Sequence, residues 1–355
     1  MEGAEIKDLT IGGSIYANAD DVGGLAGKAK NTTISGVTNN ASIYSGKNYA
    51  AGLVGEATGT MDISNCTNNG NVTVEGSTTA GILGYAGVSS IRINNCLNTG
   101  GIYSKTGSAA GIVSNFGWSA NTITLDKCGN TGSISTERSS VGGIVANGRK
   151  CRITNCYSIG EVKSESSSNV GGIIGSANAG DSITSSFYYN ETTPCRATGS
   201  AYGTLKDVYV LKAGKYAGNG GGIALSKESF KSGEAAYLLN GGEAHGTVWT
   251  NGETYPVFGD ASTEAIYQVS VKAKKVGTAA SAEVVPPEGY SVSGEASSGY
   301  KLYVPAGKEV KVLLTGSDAI KLETTPEGAL TGSGSTYTAV VNSDIDILYY
   351  IESEK

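Results

Sequence analysis

The chain has 355 residues but a single histidine, His245, and only two methionines, two tryptophans, four phenylalanines and six prolines. With one imidazole, a Ser/His/Asp or Cys/His hydrolase would have to be built on His245, which lies in a glycine-rich stretch before Trp249 with no nucleophile motif beside it. A zinc centre would lack the paired Cys and His spacings such sites use, so neither metal nor cofactor is expected. No apolar run approaches the roughly 18 residues of a membrane-spanning helix. Charged residues make up only 16% of the chain, 26 basic against 32 acidic for a net −6, and no basic stripe emerges, which argues against a nucleic-acid partner. A helical periodicity is also missing.

Glycine is the residue in excess, at 53 positions. Many belong to one phrase that returns six times as VGGLAG, AAGLVG, TAGILG, AAGIVS, VGGIVA and VGGIIG, with central glycines Gly24, Gly52, Gly81, Gly111, Gly143 and Gly172. The spacings are 28, 29, 30, 32 and 29 residues. Self-similarity at such a period marks a solenoid, in which one repeat cannot bury its apolar face alone and stacks on its neighbours.

The segments between the phrases align equally well. One column reads Leu9, Val37, Cys66, Cys96, Cys128, Cys156 and Ser186, and three residues earlier runs an aliphatic column from Ile6 through Ile34, Ile63, Ile93, Leu125 and Ile153 to Ile183. Six residues after the cysteine column comes Ile15, Ile43, Val72, Ile102, Ile134 and Val162. Two after it lie Asn39, Asn68, Asn98 and Asn130, preceded by Ile11 and followed by Ser158. Asparagine tolerates left-handed backbone and its amide can bond the coil above, so it suits a stacked corner. Small residues at Gly13, Ala41, Gly70, Gly100, Gly132 and Gly160 suggest a tight bend. Within a coil, residues such as Asn71, Val72, Thr73, Val74 and Glu75 alternate as in a strand. The fold expected is all-β: a parallel β-helix, taken as right-handed, of six to seven coils.

The cysteines invite a disulfide framework, but Cys66, Cys96, Cys128 and Cys156 share a column with Leu9 and Val37, and Cys151 aligns with Met61, Ile91 and Ile123. They are expected to be buried thiols. Cys195 has no ladder position and is left as free or paired elsewhere.

The glycine phrase resembles the GLUG motif, a repeat of large bacterial surface and secreted proteins, adhesins among them. The resemblance covers residues 1–186 on six copies and implies an extracellular module at the bacterial cell surface, with no catalytic residues to transfer. No secretory signal is visible, because Ile6 and Leu9 are already in phase with the repeat; the chain reads as a piece of something longer.

Residues 187–260, with Ser232 to Gly241 as a short helix and the aromatics Phe187, Tyr188, Tyr189, Trp249 and Phe258, read as a cap over the open solenoid end. From 261 to 355 alternating runs such as Tyr267, Val269, Val271, Ala273 and the pairs Val310/Val312 and Ile345/Ile347 read as a small Ig-like β-sandwich.

Candidate ligand contacts are Tyr16, Tyr44 and Tyr103, outward residues of one column with Thr73 between them and Ser135 and Lys163 beyond. Spaced aromatics on a long sheet suit an extended glycan or a peptide strand. The function expected is therefore a non-catalytic, monomeric, adhesin-like module that binds glycans or surface proteins. The alternative is a polysaccharide-degrading β-helix or an accessory domain of one. Against it, no column is expected to stack two carboxylates, and Asp62 and Arg92, on adjacent coils, are expected to form a surface ion pair. Two adjacent aliphatic columns in the glycine phrase, one from Leu25 to Ile173 and one from Ala26 to Ile174, are expected to be buried together by a bend.

Overall fold

The computed structural model describes residues 1–87, 90–117, 123–200, 203–211, 221–242, 246–274, 280–316 and 320–351; His245 lies outside them. The chain forms two compact units, Met1–Ala224 and Leu225–Lys355.

The first unit is a parallel β-solenoid of about six turns. One turn runs through strands Val72–Val74, Thr78–Ala80, Leu83–Ala86, Ile91–Asn94 and Leu97–Asn98. The next turn lies on it in register, with Val72 opposite Ile102, Ile91 opposite Ile123 and Asn98 opposite Asn130. Two six-stranded stacks result, one from Ser14–Ala17 to Val162–Ser164 and one from Val22–Gly23 to Val170–Gly171, and the remaining strands form a wrapped sheet of 19. We refer to the first as the tyrosine stack.

Both aliphatic columns of the glycine phrase are buried from the second turn onward, as in the pairs Leu53/Val54, Ile82/Leu83 and Ile144/Val145. The cause is a bend: in the second turn the strand Ala50–Ala51 ends, the chain turns through Gly52 and Leu53, and a new strand begins at Val54. Room for that bend is what the glycine column supplies. A Cβ built on Gly81 would meet the Asn98 Oδ1 and the Gly111 carbonyl oxygen, each at 2.3 Å.

The asparagine column is a continuous amide ladder. The Nδ2 groups of Asn39, Asn68 and Asn98 each donate to the Oδ1 of the next asparagine at 2.8 Å, and Asn130 donates to Ser158 Oγ at 3.1 Å. Each also donates to a carbonyl two residues on in its own turn, for example Asn98 to Gly100 at 2.9 Å. All four are fully buried, so these bonds satisfy groups that would otherwise cost about 1 to 3 kcal/mol each. The left-handed backbone expected of this column lies elsewhere. It falls one residue before the cysteine column, at Asp8, Asn65, Asn95, Lys127, Asn155 and Ser185, with φ between 47° and 53°. That position closes the corner, while the asparagines keep extended backbone and use only their side chains.

The column cysteines are free and buried, and Cys151 lies opposite Ile123. Each column thiol donates to the carbonyl two residues earlier, at 3.1 Å in Cys66 and 3.4 Å in Cys96. Ser186 makes the same bond to Thr184 at 2.8 Å. Leu9, in the first turn, is 41% exposed, because no strand covers that edge.

The solenoid continues past residue 186. Ser182–Tyr188 lies on the strands before it, and Thr204–Leu211 lies on Ser182–Tyr188. Phe187, Tyr188 and Tyr189 therefore belong to the solenoid unit, while Trp249 and Phe258 belong to the second, so the expected cap of 187–260 is split between the two.

In the second unit, helices α1 (Lys227–Lys231) and α2 (Glu234–Leu239) precede a β-sandwich. Ser226 caps α1 by accepting from the Ser229 amide, and Gly241, at φ 96°, follows α2. The α2 tyrosine Tyr237 donates to Asp344, and its ring packs on Tyr303 at 5.4 Å. One sheet of the sandwich has strands in the order 293–295, 299–305, 266–273, 345–351 and 320–325; the other runs 281–285, 309–315, 336–340 and 331–333. The seven main strands alternate between the sheets, a simpler order than the ABED/CFG arrangement of an immunoglobulin domain. Pairing is antiparallel except between the first and last main strands. The expected inward residues Val269, Val271, Val310, Val312, Ile345 and Ile347 fill its core.

Candidate functional site

The tyrosine stack places Tyr16, Tyr44, Thr73, Tyr103, Ser135 and Lys163 in one outward column, each opposite the next. Tyr16 and Tyr44 stack face to face, 4.4 Å between centroids and 7° between planes. Their faces are thus turned along the stacking direction and toward each other, and what the pair shows beside the strands is its edge. Tyr16 is 80% exposed, so its outer face is the one open aromatic platform of the pair. A shallow depression of about 320 Å³ lies here, lined by Tyr16, Tyr44, Ser14, Ser42, Asn71 and Thr73 among others. Tyr103 stands two turns away and donates to Glu137 Oε1 at 2.6 Å. That bond holds its hydroxyl proton and pushes its pKa up to about 12.

Two expectations about charge are corrected. Arg92 lies opposite Asp62, but the two do not close an ion pair within 4 Å. The register that aligns Thr136 with Ser164 continues one residue further, since Ser166 donates to the Glu137 carbonyl at 3.1 Å, and puts Glu137 and Glu165 in the same column, next to Lys105 and Glu75, so one column does hold two carboxylates on adjacent turns. Lys105 pairs with Glu75 at 2.7 Å.

The tyrosine stack ends at Val162–Ser164, since among the described residues no seventh strand continues it. Neighbouring parts of the coil do continue: Gly172 donates to the Arg196 carbonyl and Ile173 to that of Ala197. Between the two, residues 192–196 stand off the strand edge and leave a cleft of about 620 Å³. One wall is Val162, Lys163, Ser164, Ser167, Ser168 and Val170; the other is Thr192, Thr193, Pro194, Cys195, Arg196 and Gly199. Lys163 pairs with Glu161 at 3.1 Å, both side chains staying well exposed. The Arg196 Nε is buried without a hydrogen-bond partner. Asn190 holds both threonine hydroxyls. Cys195 is a free, half-buried thiol packed against the core, and burial pushes its pKa up to about 12. Only Lys163 and Cys195 had a signal in the sequence, as the end of a column and as an orphan of the repeat.

Among the described residues no group of three or more His, Cys, Asp or Glu side chains is placed to hold a metal ion, and no helix is long and apolar enough to cross a membrane. No family model, curated protein or solved structure matches the chain.

Proposed function

We propose that this chain is a non-catalytic, adhesin-like binding module of a bacterial cell surface or secreted protein, related to the GLUG-repeat proteins that its glycine phrase resembles. Its ligand is an extended glycan or a surface protein. The observation that carries the reading is the Tyr16/Tyr44 pair, with one ring face open beside a depression rich in hydroxyl and amide groups, on a stack six strands long. An apolar face next to polar donors suits a pyranose ring, and a stack of parallel strands fixes the spacing of successive contacts. A glycan array probed with the protein and with Tyr16→Ala tests it. The expected result is at least one glycan class whose signal falls severalfold in the variant; signals that are absent or equal in both remove the tyrosine pair as a binding site.

The stacked Glu137 and Glu165 favour a second reading, cleavage of a polysaccharide. Their places on adjacent turns put two carboxylates side by side on one face, the pairing that retaining glycosidases use. Release of reducing ends from a polysaccharide panel, lost in Glu137→Gln, would support it.

A further inference from the structure

We infer that the cleft beyond Val162–Ser164 binds an acidic peptide segment in extended conformation, added as a parallel strand to that edge. This goes beyond the glycan reading of the tyrosine pair and uses none of its residues.

The first reason is the edge. In the five junctions of the stack the strand of the next turn supplies partners to the strand below, as when Ile134 donates to the Glu161 carbonyl at 2.7 Å and Glu165 donates to that of Thr136 at 3.1 Å. Strand Val162–Ser164 offers the same row of groups with no strand on its far side among the described residues. A row of open backbone donors and acceptors beside a cleft is the template for strand addition.

The second reason is the register, which specifies the ligand. A segment continuing the stack sets one residue over Val162, one over Lys163 and one over Ser164. The inward column is Ile15, Ile43, Val72, Ile102, Ile134 and Val162, so an aliphatic residue extends it. The column Ala17, Ser45, Val74, Ser104, Thr136 and Ser164 takes a small residue. Between them the ligand meets Lys163, with Arg196 on the facing wall and its buried Nε unpartnered. A carboxylate there pairs with both cations, of which, among the described residues, only Lys163 has a carboxylate of its own. The cleft has no aromatic side chain among its lining residues, which favours a peptide over a sugar.

The test is fluorescence anisotropy with the labelled peptide Gly-Ser-Val-Glu-Ser-Gly-Ser-Gly. Saturable binding is expected, weakened fivefold or more by Arg196→Gln and two- to fivefold by Lys163→Gln, each variant checked for an unchanged circular-dichroism spectrum. Replacing the peptide glutamate by lysine abolishes binding. By the alternation of the preceding turn, the glutamate N–H faces the strand edge, so N-methylation of that residue also abolishes binding, whatever the variants do to folding. A methylated peptide that binds equally, affinities unchanged in both variants, or a tetra-glucuronate that binds where the peptide does not would each overturn the proposal.

Discussion

The two units are both β-rich, yet they store their specificity differently. In the repeats of the solenoid each strand lies on a copy of itself 28 to 32 residues away, so like sits on like: isoleucine on isoleucine, amide on amide, thiol on thiol. In the sandwich each strand faces unlike partners, Val269 beside Leu302 on one side and Ile345 on the other, and the core is an aliphatic mixture in which no residue type repeats in order. Stacked identity lets one polar column be fully satisfied in the interior, but it transmits any misfit to both neighbours. A mixed core dilutes it.

Substitutions can break that contrast, and the largest effect belongs at the glycine column. Gly81→Ala puts a methyl 2.3 Å from both Asn98 Oδ1 and the Gly111 carbonyl oxygen, forcing two turns apart. A loss on the order of 4 kcal/mol or more is expected, seen in calorimetry as collapse of the solenoid transition while that of the sandwich stays. Asn98→Ala comes next, at about 3 kcal/mol, because it strands the Asn68 donor and the Asn130 acceptor together. For comparison, Val312→Ala in the sandwich should cost about 2 kcal/mol and shift only the second transition; an equal shift of the solenoid would show that the units do not melt separately.

Cys96 sharpens the comparison from the other side. Its column offers each residue a carbonyl two positions back, and Ser186 already uses one. Cys96→Ser and Cys96→Val should therefore each cost only about 1 kcal/mol by denaturant titration, whereas a hydroxyl without that acceptor would cost more than the valine. The smallest effect is optical. The Glu137 bond raises the Tyr103 pKa, so its stabilising contribution is complete below the ordinary tyrosine value near 10 and fades as pH climbs toward about 12. An ultraviolet titration should lose one late-ionising tyrosine in Tyr103→Phe and see it ionise earlier in Glu137→Gln.

How much of this was legible follows the same divide. The coil, its columns and its buried thiols could be read because six imperfect copies average out local ambiguity. Chemistry perpendicular to the columns could not. The left-handed corner falls on Asn65, Asn95 and Asn155 but also on Lys127 and Ser185, residues with no common propensity for it. The plane of the Tyr16 and Tyr44 rings depends on side-chain packing, and the carbonyl acceptor of each thiol on the corner's backbone path. The unit boundary at 224/225 carries no signal in the residues because α1 and α2 look like a generic cap; it is the packing of α2, Tyr237 to Asp344 and Glu234 to Tyr303, that ties it to the sandwich. The cleft is defined by a strand that does not form at 192–196, and no residue pattern announces that.

The amide ladder has a direction, since every asparagine donates toward the higher-numbered turn and each one above Asn39 accepts from the turn below it. It is flanked by Ile11, which has no amide to give, and by Ser158, which receives the last donor. A turn carrying its own asparagine can be removed or duplicated between those two points without leaving any donor or acceptor unpaired, whereas a turn inserted backwards or beyond either point cannot join. The solenoid therefore behaves as a ruler whose length changes in whole notches of roughly 4.8 Å, and the distance between whatever sits at its two ends can be reset by gene duplication alone.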